Sequence, residues 1–130
     1  MSSYSSIQNP LVLVADDSRT ILAMVSSRLE RAGYEVVGVS NGDDALAVAE
    51  ARLPALVILD VEMPAMDGLE VTRRLRANDA TREIPIVLLT GHTEADEVEA
   101  GHAAGATAYI TKPFSPQELE ARIEDILGRR

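Results

Sequence analysis

The sequence predicts an α/β domain, a parallel sheet of five strands alternating with five helices. Short apolar runs at residues 11–15, 56–59, 86–89 and 109–111 are rich in Val, Ile and Leu, as buried parallel strands are. Segments with helical periodicity and recognisable caps lie between them, which is the βα repetition of a parallel sheet. Each run also ends in a residue that can do chemistry: Asp16 and Asp17, Asp60, Thr90, and Lys112 followed by Pro113. Ligands of open α/β sheets sit beyond the carboxyl ends of the strands. Folding would therefore gather carboxylates, a hydroxyl and an ammonium at one edge.

The elements follow in order. After the first strand, a helix starts near Ser18, with Ile21, Leu22, Val25 and Leu29 on one face. Gly33 suits the position just past its end. Residues 34–39 read as the second strand. Asn41, Gly42, Asp43 and Asp44 open a helix with acid in its first turn, packed through Ala45, Leu46 and Ala49 and followed by Pro54. The third strand runs to Asp60, then comes a loop over 61–68 and a helix to about Ala77 with a less regular apolar face. Pro85 introduces the fourth strand. Thr93 with Asp96 reads as a cap and its acid for the fourth helix, which Ala103, Ala104 and Gly105 close. Ser115, Pro116, Gln117 and Glu118 form a capping box for the last helix, whose stripe is Leu119, Ile123, Ile126 and Leu127.

Size and charge narrow the function. A chain of 130 residues with 46% hydrophobic residues fits one domain. Aromatics are few, namely Tyr4, Tyr34, Tyr109 and Phe114, so the core is aliphatic. Without cysteine there is no disulfide, thiolate site or Cys nucleophile, in keeping with a cytoplasmic location. A net charge of −9 opposes direct nucleic acid binding, which rests on Lys and Arg neutralising phosphates. No apolar run has the roughly 20 residues needed to span a bilayer. The Ser-rich residues 1–9 read as a disordered N-terminal tail.

The polar strand ends suggest phosphoryl chemistry. Asp16, Asp17 and Asp60 together repel one another unless a cation neutralises them. Hard oxygen donors in small number suit Mg²⁺, for which Mn²⁺ could substitute. Lys112 offers a point charge and Thr90 a hydroxyl to a phosphate oxygen, and Gly91 leaves its N–H unobstructed. No G-x-x-x-x-G-K-[ST] loop, no G-x-G-x-x-G and no Ser-His-Asp elbow occurs. A carboxylate is then the candidate nucleophile, forming an aspartyl-phosphate.

These pieces resemble a response-regulator receiver domain of two-component signalling. The resemblance lies in Val12-Leu13-Val14-Ala15-Asp16-Asp17-Ser18, in Leu59-Asp60-Val61-Glu62-Met63-Pro64-Ala65-Met66-Asp67-Gly68, in Leu89-Thr90-Gly91, and in Gly105-Ala106-Thr107-Ala108-Tyr109-Ile110-Thr111-Lys112-Pro113-Phe114. It implies a doubly wound, flavodoxin-like (βα)₅ fold with strand order 2-1-3-4-5, occupying residues 10–130. It implies that Asp60 accepts a phosphoryl group from a sensor histidine kinase or phosphotransfer protein. Asp17, Asp60 and the backbone carbonyl of Glu62 would ligate Mg²⁺, with Asp16 acting through a bound water. Lys112, Thr90, Gly91 and the Glu62 backbone would hold the phosphoryl group, and the Lys112–Pro113 bond would be cis. Thr90 and Tyr109 would form the switch that reshapes the face of helix 4, strand 5 and helix 5.

Two positions vary within that pattern. Glu62 and His92 lie two residues after Asp60 and Thr90 and are expected to tune the lifetime of the phosphoryl group. Thr107 and Ala108 stand where winged-helix regulators of this family carry an acidic pair used in dimerisation. The oligomeric expectation is therefore a monomer or a phosphorylation-dependent dimer. The output is a downstream effector protein or an output domain of a longer chain. The domain would be no enzyme beyond catalysing its own phosphorylation and autodephosphorylation. Two alternatives belong to other classes. A small phosphatase with an aspartyl-phosphate intermediate would usually carry Asp at the position of Glu62. A phosphorylation-independent interaction module would not need the intact set Asp16, Asp17, Asp60, Thr90 and Lys112.

Overall fold

The computed structural model describes residues 9–91 and 95–128. The strands are β1 (Leu11–Ala15), β2 (Glu35–Val39), β3 (Leu56–Asp60), β4 (Ile86–Thr90) and β5 (Ala108–Thr111). The helices are α1 (Arg19–Arg31), α2 (Gly42–Arg52), α3 (Gly68–Ala77), α4 (Ala95–Ala104) and α5 (Pro116–Leu127). All strand pairings are parallel and the order is β2-β1-β3-β4-β5, as the resemblance implied. The order reverses between β1 and β3, and a crevice opens there at their carboxyl ends.

Local chemistry explains the boundaries. Ser18 Oγ accepts from Ile21 N at 3.2 Å, Asn41 Oδ1 from Asp44 N at 2.8 Å, and Ser115 Oγ from Glu118 N at 3.0 Å. Asp67 caps α3 in the same way, accepting from Glu70 N at 2.9 Å, a cap hidden in what reads as loop. Two helices end in paired bonds around a left-handed glycine. Tyr34 N donates to Leu29 O and Gly33 N to Glu30 O after α1, while Ala106 N donates to Gly101 O and Gly105 N to His102 O after α4. The second strand begins at Glu35 rather than Tyr34, because Tyr34 N is held by that α1 turn and its side chain is buried. Thr93, the expected α4 cap, and residues 1–8 of the expected tail lie outside the described residues.

Each face of the sheet carries its own core. One joins Val12, Val14, Ile58 and Leu89 to Val25 and Leu29 of α1 and to Leu119 and Ile123 of α5. The other joins Leu13, Leu59 and Leu88 to Ala45 and Ala49 of α2 and Val71 and Leu75 of α3. The buried face of α3 also contains Thr72, whose hydroxyl donates to Gly68 O at 2.7 Å. A polar residue satisfied within its own helix explains the irregular apolar pattern there. Among the described residues, no helix is long and apolar enough to cross a membrane.

Candidate functional site

Parallel strands bring all the polar strand ends to one edge. Asp60 ends β3 and is 5% exposed; Asp16 follows β1 and is fully buried; Asp17 beside it is exposed. Backbone bonds fix the frame, with Asp16 N on Val39 O at 3.1 Å, Val61 N on Leu89 O at 2.9 Å and Lys112 N on Thr90 O at 2.7 Å. Lys112 reaches inward, its Nζ 3.0 Å from Asp16 Oδ2 and 3.3 Å from Asp60 Oδ2. The remaining carboxylate oxygens take backbone donors. Ser18 N lies 2.9 Å from Asp16 Oδ1, and Glu62 N lies 3.2 Å from Asp60 Oδ1. The Lys112–Pro113 bond is cis, as expected.

Charge at this edge is unbalanced. One ammonium faces the carboxylates of Asp16, Asp17 and Asp60, and an oxygen of each lies within 4.8 Å of the others. Burial first, and repulsion from Asp16 second, push the Asp60 carboxyl up to about 6, against the lowering effects of Lys112 and the Glu62 N–H. Burial alone would lower the Lys112 ammonium. Asp16 and Asp60 outweigh it and hold that group above its ordinary value. Asp16 Oδ2 is buried and forms no aligned hydrogen bond, although the ammonium stands near it. Hard oxygens, excess negative charge and unused acceptor capacity fit a small divalent cation such as Mg²⁺.

The loop over residues 61–67 forms one wall. An open cleft beside Asp17 is lined by Glu62, Met63, Pro64, Asp67 and Leu69. Gly68 N donates to Val61 O, and Gly68 lies so close to Asp60 that a Cβ there would meet Asp60 O at 2.4 Å. Ala65 takes a left-handed φ of 70° where Met66 N turns back to Pro64 O at 2.8 Å, a strained γ-turn for a residue with a side chain. Sequence reasoning found the loop but not these two constraints. On the opposite side, Ile21, Met24, Pro113 and Phe114 line an apolar groove that ends at Lys112.

The other expected residues divide by position. Thr90 is 1% exposed at the end of β4, and Gly91 after it is exposed with open space around its Cα. Tyr109 is half-buried on β5, one strand away and two residues before the Cα partner of Thr90. Glu62 is exposed at the cleft. His92 lies outside the described residues. Sequence reasoning missed Arg76. Its guanidinium holds Gly105 O at 2.8 Å, Arg82 O at 2.9 Å and Ile84 O at 2.6 Å, tying α3 to the loops that lead into β4 and β5.

The model of the response regulator receiver domain family matches residues 12–124. The chain belongs to this family. It is thus a receiver of two-component phosphorelay signalling. The receiver is 42% identical over 121 residues to the alkaline phosphatase synthesis transcriptional regulatory protein PhoP of Bacillus subtilis, covering 93% of this chain and 50% of that protein. The chain spans about half the length of the curated relatives it matches. The fold of the receiver is similar to that of the chemotaxis response regulator CheY4 of Vibrio cholerae, with a TM-score of 0.87 and 37% identity over 91% of this chain and 98% of that one. It is also similar to the receiver domain of sensor histidine kinase PA1611 from Pseudomonas aeruginosa PAO1, solved with magnesium coordinated in its active-site cleft. The TM-score is 0.86, with 28% identity over 92% of this chain and 98% of that chain.

Proposed function

We propose that this receiver, residues 10–130, takes a phosphoryl group onto Asp60 from a phosphohistidine of a sensor kinase or phosphotransfer protein. An Asp60 oxygen forms the new P–O bond as the P–N bond to the donor imidazole breaks, and the imidazole leaves with the electron pair. The observation that carries this reading is the closure of Lys112 on Asp16 and Asp60 beside Asp17, at the end of the strand that presents the nucleophile. Asp17, Asp60 and the Glu62 carbonyl would hold Mg²⁺, with Asp16 next to it; bound there, the ion offsets charge on the transferring phosphoryl group. Lys112 moves from its carboxylate partners toward a phosphoryl oxygen. Thr90 Oγ1 and the N–H groups of Glu62 and Gly91 supply the remaining donors.

The product is a conformational signal rather than a released compound, so the domain is no turnover enzyme. Thr90, drawn to the phosphoryl group, frees space that Tyr109 follows, and the face formed by α4, β5 and α5 changes its affinity for an output domain or effector protein. The acidic receiver itself contacts no nucleic acid. Glu62 and His92 set the lifetime of the phosphoryl group. Intact mass tests the core of this reading. Incubation with Mg²⁺ and acetyl phosphate adds one phosphoryl group to the wild type and none to Asp60→Asn, and omission of Mg²⁺ abolishes the gain. An equal gain in Asp60→Asn would assign the chemistry elsewhere.

A further inference from the structure

Tyr109 is in register with Leu88, and Thr90 lies two residues further along β4. Leu88 and Thr90 therefore leave the same face of the sheet. Tyr109 packs into the core on that face, beside Leu88. Above it is Gly101 in α4. A Cβ built on Gly101 would lie 2.2 Å from Tyr109 Cε2, 2.9 Å from Tyr109 Cδ2 and 3.2 Å from Leu88 Cδ1. The ring thus rests against bare helix backbone. Glycine weakens a helix interior relative to alanine, so helix formation does not account for this residue.

The helix backbone that the ring rests against is held. Gly101 O accepts from Ala106 N at 3.1 Å, and His102 O accepts from Gly105 N at 3.0 Å. Arg76 Nε clamps Gly105 O at 2.8 Å from the neighbouring helix. His102 flanks the ring, its centroid 6.4 Å from that of Tyr109. A side chain added at position 101 meets a fixed helix and a ring that turns about its own Cα–Cβ bond. The ring is the part that moves.

We propose that Gly101 is a positioning residue for the Tyr109 switch: the gap left by its missing side chain is the seat of the ring. A methyl group in that seat displaces the ring whatever the state of Asp60. The link to signalling rests on the switch role proposed above for Tyr109, whereas the seat itself is read in the unmodified protein.

The experiment uses the full chain with isotope-labelled tyrosine, the Tyr109 ring signal being assigned by its loss in Tyr109→Phe. In Gly101→Ala that signal is displaced before any phosphodonor is added, while the Tyr34 signal stays in place. On addition of Mg²⁺ and acetyl phosphate the wild-type Tyr109 signal moves and the Gly101→Ala signal does not, although both proteins gain the phosphoryl mass. Thermal unfolding provides the control. Gly101→Ala lowers the melting temperature when Tyr109 is present and raises it in a Tyr109→Leu background, because the clash is then gone and alanine favours the helix. An undisplaced ring signal, or the same melting shift in both backgrounds, overturns the seat. A displaced ring that still follows phosphorylation overturns its link to the switch. If the wild type gains no phosphoryl mass, the phosphorelay reading of Asp60 fails, and the unmodified spectra and melting shifts still decide the seat.

Discussion

The two faces of the sheet are sealed with different side chains. Over β1 and β3 on one side, α1 and α5 press Val25, Leu29, Leu119 and Ile123, all fully buried. On the other side Val71 and Leu75 of α3 are fully buried too, but the buried helix positions around them are small: Gly42, Ala45 and Ala49 of α2, Gly68 and Thr72 of α3, and Gly101 and Ala104 of α4. Large aliphatic groups interdigitate and hold helices at a distance that only unfolding changes. Small residues let backbone approach backbone or ring, and an added atom is then felt at once. Leu88, and with it the direction of Thr90 and Tyr109, belongs to the side sealed by small residues. Both sides, the thick one sealed by α1 and α5 and the thin one with its small helix residues, bury large aliphatic side chains, but the thin side also holds the parts proposed to move.

Leu29→Ala breaks the comparison on the thick side. It removes a fully buried side chain and costs about 3 kcal/mol in urea unfolding. Acetyl phosphate is expected still to phosphorylate the folded fraction, since Leu29 sits near the end of α1 that lies away from Asp16 and Asp17. Gly68→Ala breaks it on the thin side. Its Cβ would crowd Asp60 O at 2.4 Å and shift the proposed nucleophile, so phosphorylation followed by intact mass slows about 10–100-fold.

Two smaller effects sharpen the contrast, because both stabilise the protein by removing features of the site. Asp60→Asn raises stability at pH 7 without Mg²⁺ by about 1–2 kcal/mol, after discounting for the water that reaches this edge. The sign follows from burial. The folded carboxyl titrates near 6 against an ordinary 3.8, so the fold disfavours its charged form. Wild-type stability without Mg²⁺ should therefore rise as pH falls through that window, and Asp60→Asn should lose this rise in pH-dependent thermal melts. Ala65→Gly relieves the left-handed turn at the mouth of the cleft and adds about 1 kcal/mol in denaturant titration.

The thick side was largely legible in the sequence. Leu29, Leu119 and Ile123 stand at helical spacing, and apolar periodicity is the signal such packing leaves. Strand ends were legible for a similar reason: a polar residue after an apolar run marks where β1, β3, β4 and β5 leave the core. The thin side was harder to read. Thr72 is buried because its hydroxyl is satisfied by Gly68 O, a fact of geometry that its polarity conceals. Asp67 reads as loop until the chain turns and its side chain caps α3. Arg76 looks like one more surface cation beside Arg73 and Arg74, yet its partners are backbone carbonyls, and one of them, Gly105 O, is distant in sequence and brought near only by the fold. Gly101 leaves no periodic signal, since what matters there is an absent atom and the ring that fills its place.

The strand order also has a consequence for synthesis. β1 sits inside the sheet, flanked by β2 and β3, and each later strand is added at the β4–β5 side. A chain growing from its N-terminus can pair β1 with β2, then add β3, β4 and β5 outward, each step joining segments close in sequence. In that order Asp16 and Asp17 would come into position first, Asp60 next, Thr90 after it and Lys112 last. The nascent acids would stand without their ammonium until the final strand docks. On the proposed roles of these residues, competence to receive a signal would then be acquired only when the sheet is complete.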